Sequence, residues 1–141
     1  MQLPAGTVAQ READAKAHPG DPERQLAYAV SLQGEGLRTD ARAAAEQAVA
    51  ADPRNLDAQV AAIVLGYDKD NPATAVGALG ALIKQNPNQI GPVLHLGILL
   101  LWIKRNTLAL QEFQKAVKIA PSSRDGQVAA AFVRGLQAAK G

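Results

Sequence analysis

Four prolines, Pro19, Pro53, Pro87 and Pro121, follow one another at intervals of 34 residues. Their contexts, "AHPGD", "ADPRN", "QNPNQ" and "IAPSS", are alike. Four prolines in one register are very improbable by chance. A fixed period of this size restricts the chain to a stack of small units, each burying its apolar face against the next. The 141 residues suit one domain of ordinary size with a sizeable core.

Within each period the apolar spacing is that of two helices. In the first unit "PERQLAYAVSLQG" is followed by the turn "GEGLRTD" and then by the Ala-rich "ARAAAEQAVAAD", for which Thr39 or Asp40 is the expected N-cap. Pro53 should stop that helix, because the residue before a proline is pushed out of the helical region. The second unit repeats the plan as "LDAQVAAIVLGY", "DKDNP" and "ATAVGALGALIKQN". The third reads "IGPVLHLGILLLWIK", a turn at Arg105–Thr107, and "LALQEFQKAVKIA". After Pro121, "SRDGQVAAAFVRGLQAAK" is one more helix.

This pattern resembles the tetratricopeptide repeat (TPR) family, from about Gly20 onward. The third unit carries the resemblance best, with Leu96–Gly97, Leu100, Ala109, Phe113, Ala116 and Pro121 in the family's slots. The first supplies Tyr28–Ala29, Leu32, Ala41, Ala45, Ala48 and Pro53; the second is degenerate, with Ala62–Ile63, Gly66, Ala75, Leu79, Leu82 and Pro87. The family's Trp slot holds Gln25, Gln59, Val93 and Gln127, so that signature is absent. The resemblance implies an all-α, right-handed superhelical solenoid of antiparallel helix pairs. The expected repeats are 22–55, 56–89 and 90–123, with a cap helix at 124–139. Small residues such as Gly97, Ala29, Ala41, Ala75 and Ala109 are expected where helices cross. Gly77 and Gly80 lie inside a helix, which makes the second unit the expected soft part of the stack. Residues 1–19, with the thin stripe Val8, Ala9 and Ala13, are expected to form an irregular N-terminal helix or cap.

The remaining features restrict function mostly by exclusion. Val93–Ile103 is the most apolar run, but its eleven residues fall short of the roughly 20 that a membrane-spanning helix needs. A net charge of +2, without a long Lys/Arg run, argues against nucleic acid as the main partner. With no cysteine there is no disulfide framework to report a compartment. The opening "MQLPAGTVAQRE" lacks the layout of a signal peptide, so a cytoplasmic setting is weakly favoured, and the chain could be a segment of a longer protein. His18 and His95 are 77 positions apart, so no His pair stands at helical metal spacing, and there is no cysteine to join them. Asp68 and Asp70 belong to a turn, and "GALGAL" lacks the phosphate-loop pattern. No catalytic, cofactor or metal site is expected, and the chain is not expected to be an enzyme.

What remains is a surface. In TPR proteins ligands usually lie in the concave groove formed by the first helix of each repeat. On these residues the resemblance puts Leu26 and Val30 in that groove from the first unit, and Val60, Val64 and Tyr67 from the second. The third contributes Leu94, His95, Ile98, Leu101 and Trp102, and the last helix Val128 and Phe132. Some family members hold a C-terminal carboxylate with Lys and Asn at slots that here are apolar, so that mode is not expected. A stripe of this kind suits an amphipathic helix or apolar peptide, with Tyr67 and Trp102 as anchors. Three covers are open for so apolar a face: an external protein or peptide partner, a second copy of the chain as in a homodimer or self-associating structural module, or the N-terminal helix. The expected function is a protein–protein interaction module, an adaptor or assembly scaffold.

Overall fold

The computed structural model describes residues 7–140. The opening "MQLPAG", Gly141 and the side chain of Lys140 lie outside the described residues. All regular structure among the described residues is α-helical. The helices are α1 (Val8–Ala17), α2 (Pro22–Gly34), α3 (Arg38–Ala51), α4 (Leu56–Leu65), α5 (Pro72–Gln85), α6 (Ile90–Trp102), α7 (Asn106–Ile119) and α8 (Arg124–Lys140).

The periodic prolines all occupy one kind of turn. The carbonyls of His18, Asp52, Asn86 and Ala120 accept the N–H groups of Asp21, Asn55, Gln89 and Ser123 at 3.0–3.2 Å. Each pair closes a four-residue turn whose second residue is the proline, where its restricted φ is already correct. The fourth residue then starts the next helix. Asp21 accepts from the Glu23 N–H, Asn55 from the Ala58 N–H and Ser123 from the Gly126 N–H. Such bonds satisfy amide groups that a helix start leaves open. One short motif therefore stops a helix and starts its successor, four times in the chain.

The other turn within each pair is less regular. In the first repeat, Leu37 N–H donates to Leu32 O at 2.9 Å and Gly36 N–H to Gln33 O at 3.0 Å, with Gly36 at φ 77°. In the third, Arg105 N–H donates to Leu100 O at 2.8 Å and Lys104 N–H to Leu101 O at 3.0 Å, with Lys104 at φ 63°. Both are Schellman caps, which close on a left-handed residue. The second repeat departs from this plan: α4 stops at Leu65, three residues short of its counterparts, and an Asx turn from Asp68 to the Asp70 N–H follows. Tyr67 is thus outside the helix expected from "LDAQVAAIVLGY". Two further local expectations are corrected. The residue before α3 is Leu37, which makes no side-chain cap, and Thr39 and Asp40 lie inside the helix. The turn after α6 is Ile103–Arg105, since α7 already begins at Asn106.

The polypeptide forms two compact units, Met1–Gly66 and Tyr67–Gly141. In the first, Ala29, Leu32, Ala41, Ala44, Ala45 and Leu65 make the core, with Val8, Tyr28, Ala61 and Ala62 packed against it. Its side chains are mostly methyl groups, so contact depends on close approach of the helices rather than on side-chain bulk. Gln25, in the family's Trp slot, is buried and its Nε2 donates to the Ala15 carbonyl at 3.0 Å, tying α1 to α2. Arg38 Nη2 donates to the Val64 carbonyl at 3.1 Å and joins the start of α3 to the end of α4.

The second unit has the bulkier core. Phe113, Leu79, Leu99 and Val93 are among its fully buried side chains. Phe113 stacks on Phe132 at 4.5 Å between ring centroids with 6° between the planes, linking α7 to α8. Gly97 of α6 sits under the Phe113 ring. Gly126 is equally constrained, because a β-carbon there would collide with the Ala120 carbonyl. No helix among the described residues is long and apolar enough to cross a membrane.

Candidate functional site

In the first unit the first-helix positions differ sharply in exposure. Val30 of α2 is 66% exposed, whereas Leu26 and Val64 are half-buried. Val60 is buried at 4% exposure, so it offers almost no surface to a partner.

The second unit gathers more of the expected residues. Leu94 is a second correction to the expected groove: at 3% exposure it belongs to the core, because α6 is packed on most of its circumference. His95, Ile98 and Leu101 are half-buried, while Trp102 is 47% exposed at the end of α6. Tyr67 meets Trp102 edge-on, with ring centroids 5.3 Å apart and planes at 62°. This arrangement brings a positive ring edge to a negative face. His95 Nδ1 donates to the Gly91 carbonyl at 2.8 Å, one turn back along its own helix. That ring nitrogen is thereby satisfied within its own helix.

Between α6 and α8 lies an open cleft of about 500 Å³, lined by Leu101, Val128, Ala131, Phe132, Gly135 and Leu136. It joins three of the expected positions, Leu101, Val128 and Phe132, and every lining side chain is apolar. Ala131 is not among the positions expected there. It lies three residues after Val128 and four before Gly135, so helical spacing puts all three on one stripe. A second cleft of about 500 Å³, between α7 and α8, is lined by Gln114, Val117, Lys118, Ala130, Val133 and Arg134. Its two cations give it a different chemistry.

Among the described residues no group of three or more His, Asp or Glu side chains is placed to hold a metal ion. The ion pairs are side-chain pairs such as Lys16–Glu12 at 2.7 Å, Arg42–Glu46 at 3.0 Å and Lys115–Glu112 at 2.8 Å, each about one helical turn apart. Pairs of this kind on a helix surface contribute little stability.

No protein-family model matches the sequence, and no curated protein is similar to it. Solved structures do resemble it. One is TTC0263, a thermophilic TPR protein of Thermus thermophilus, with a TM-score of 0.76 at 19% identity, over 95% of this chain and 73% of that one. Another is MamA (41-end) from Desulfovibrio magneticus, with a TM-score of 0.59 at 16% identity, over 92% of this chain and 81% of that one. A third is a tetratricopeptide repeat protein from Parabacteroides merdae, with a TM-score of 0.58 at 14% identity, over 93% and 52% of the respective chains. The turn repeated every 34 residues, the Gly97–Phe113 crossing and these likenesses agree: this chain has the fold of tetratricopeptide repeat proteins.

Proposed function

We propose that the chain is a non-catalytic protein–protein interaction module that holds an apolar or amphipathic segment of its partner on the first-helix face. The observation that carries this reading is the α6/α8 cleft, whose six lining residues are all apolar and which stays open in the folded unit. A concave site with no polar lining suits an apolar segment, which it would remove from water. The half-exposed Trp102 beside Leu101 adds an aromatic anchor of the type that dominates many interfaces. The TPR fold is consistent with the same role, although fold alone does not assign it.

Selection from a displayed peptide library on the immobilised chain tests the reading. The expected winners carry apolar residues at i, i+3 or i+4, and i+7, and Leu101→Asp abolishes their capture while the helical circular dichroism is unchanged. Selection that enriches nothing, or winners indifferent to Leu101→Asp, would overturn it. Sedimentation of the pure chain across concentration separates the alternative cover: a tight dimer broken by Leu101→Asp assigns this face to a second copy instead.

A further inference from the structure

Glycine inside a helix gives up stability through backbone entropy, so each one invites a structural reason. Gly97 has one in the Phe113 ring and Gly126 one in the Ala120 carbonyl. Gly135, like Gly77 and Gly80 of α5, has none within the fold. It is an exposed residue in the middle of α8, its φ is not left-handed, and a β-carbon there would meet nothing within 4 Å. It nevertheless lines the α6/α8 cleft. Ala131 lies one turn before it on the same stripe, so the two leave a notch between the bulkier Val128, Phe132 and Leu136.

The notch specifies its occupant. No lining side chain can donate or accept a hydrogen bond, so a polar group brought into it would lose its water without replacement. The stripe from Val128 to Leu136 runs over two turns of α8, which matches a helix laid alongside rather than a single inserted residue. Charge gives the partner's other face. Residues 67–141 contain nine Lys and Arg against four Asp and Glu. Lys104 and Arg105 follow Leu101 closely, and Arg124 precedes Val128 by one turn; all three are exposed and form no ion pair among the described residues. Of the four acids, Glu112 pairs with Lys115 and Asp68 accepts a backbone N–H in its turn. Asp125 is half-buried in the first turn of α8, and Asp70 lies in the same turn as Asp68.

We propose that the α6/α8 cleft docks an acidic amphipathic helix of another protein. Bulky apolar side chains of that helix enter the Ala131–Gly135 notch, and its carboxylates face Lys104, Arg105 and Arg124. This rests on the interaction-module reading and gives that module's partner its chemistry.

Three labelled helical peptides test it by fluorescence anisotropy on the full chain. One has a Leu/Phe face and a Glu-rich face, one has the same apolar face with Lys in place of Glu, and one keeps Glu but replaces the apolar face with Ser and Gln. The acidic amphipathic peptide is expected to bind, the Lys version about tenfold more weakly or worse, and the Ser/Gln version not at all. Gly135→Leu fills the notch and should weaken binding about tenfold or more, yet leave the thermal midpoint unchanged or raised, since the site is open. Binding unaffected by Gly135→Leu, or lost instead with Arg134→Glu in the α7/α8 cleft, overturns the site. Equal binding of the Lys peptide overturns the acidic assignment and leaves the apolar docking intact. Failure of all three peptides overturns the inference, whereas the interaction-module reading is decided separately by the library selection and Leu101→Asp.

Discussion

Gly97 and Phe113 occupy adjoining space so closely that a β-carbon on Gly97 would stand 2.6 Å from Cε1 and 2.8 Å from Cδ1 of the ring. The ring cannot easily retreat, because it is also stacked on Phe132 and is fully buried. Gly97→Ala should therefore destabilise the chain by about 1–3 kcal/mol, the usual cost of overpacking a core. Urea unfolding followed by circular dichroism measures this. A midpoint equal to that of the unaltered chain would show that α6 and α7 can shift apart freely.

Lys104 stands two periods after Gly36, and both take a left-handed backbone in a Schellman cap. Lysine is strained there by its β-carbon, so Lys104→Gly should stabilise by about 0.5–1 kcal/mol. The reciprocal Gly36→Ala should destabilise by about 1 kcal/mol. Thermal unfolding of the two variants checks the opposite signs.

Gly77 and Gly80 lie in the interior of α5, and added β-carbons would meet nothing within 4 Å. Gly77→Ala and Gly80→Ala should each stabilise by roughly 0.5–1 kcal/mol through backbone entropy alone. Chemical denaturation of each variant measures the change. A loss of stability in either would mean that the added β-carbon strains a contact within the fold.

The bond from Gln25 to the Ala15 carbonyl is the buried link between α1 and α2. Gln25→Ala should cost about 1 kcal/mol or somewhat more. Because repeats depend chiefly on their neighbours, amide hydrogen exchange should accelerate in α1 while α6 and α7 keep their protection. Uniform acceleration along the chain would contradict that locality.

The residues differ in how openly the sequence displays them. The proline spacing places all four helix-stopping turns, because a turn of this kind is a local event with its own residue requirements. The crossing at Gly97 is legible too, since only a small residue tolerates a ring that close. The groove is less legible. Val60 and Leu94 occupy the same slot as the half-buried Leu26 and the exposed Val128, yet both are buried. Ala131 lies in the cleft at a slot the repeat pattern gives no reason to expect. Tyr67 reaches Trp102 from a loop, because α4 ends three residues early.

By itself the sequence determined the period, the helix pairs and the small residues at helix crossings, all of which follow from spacing and backbone preference along a single stretch of chain. Only the tertiary structure decided which apolar side chains stay open. Exposure depends on what a second, distant element covers, and apolar residues at the same repeat slot look identical until that neighbour is in place. The α6/α8 cleft is such a case: Leu101 and Phe132 are 31 residues apart, and their common surface exists only once both helices pack on Phe113's helix, α7.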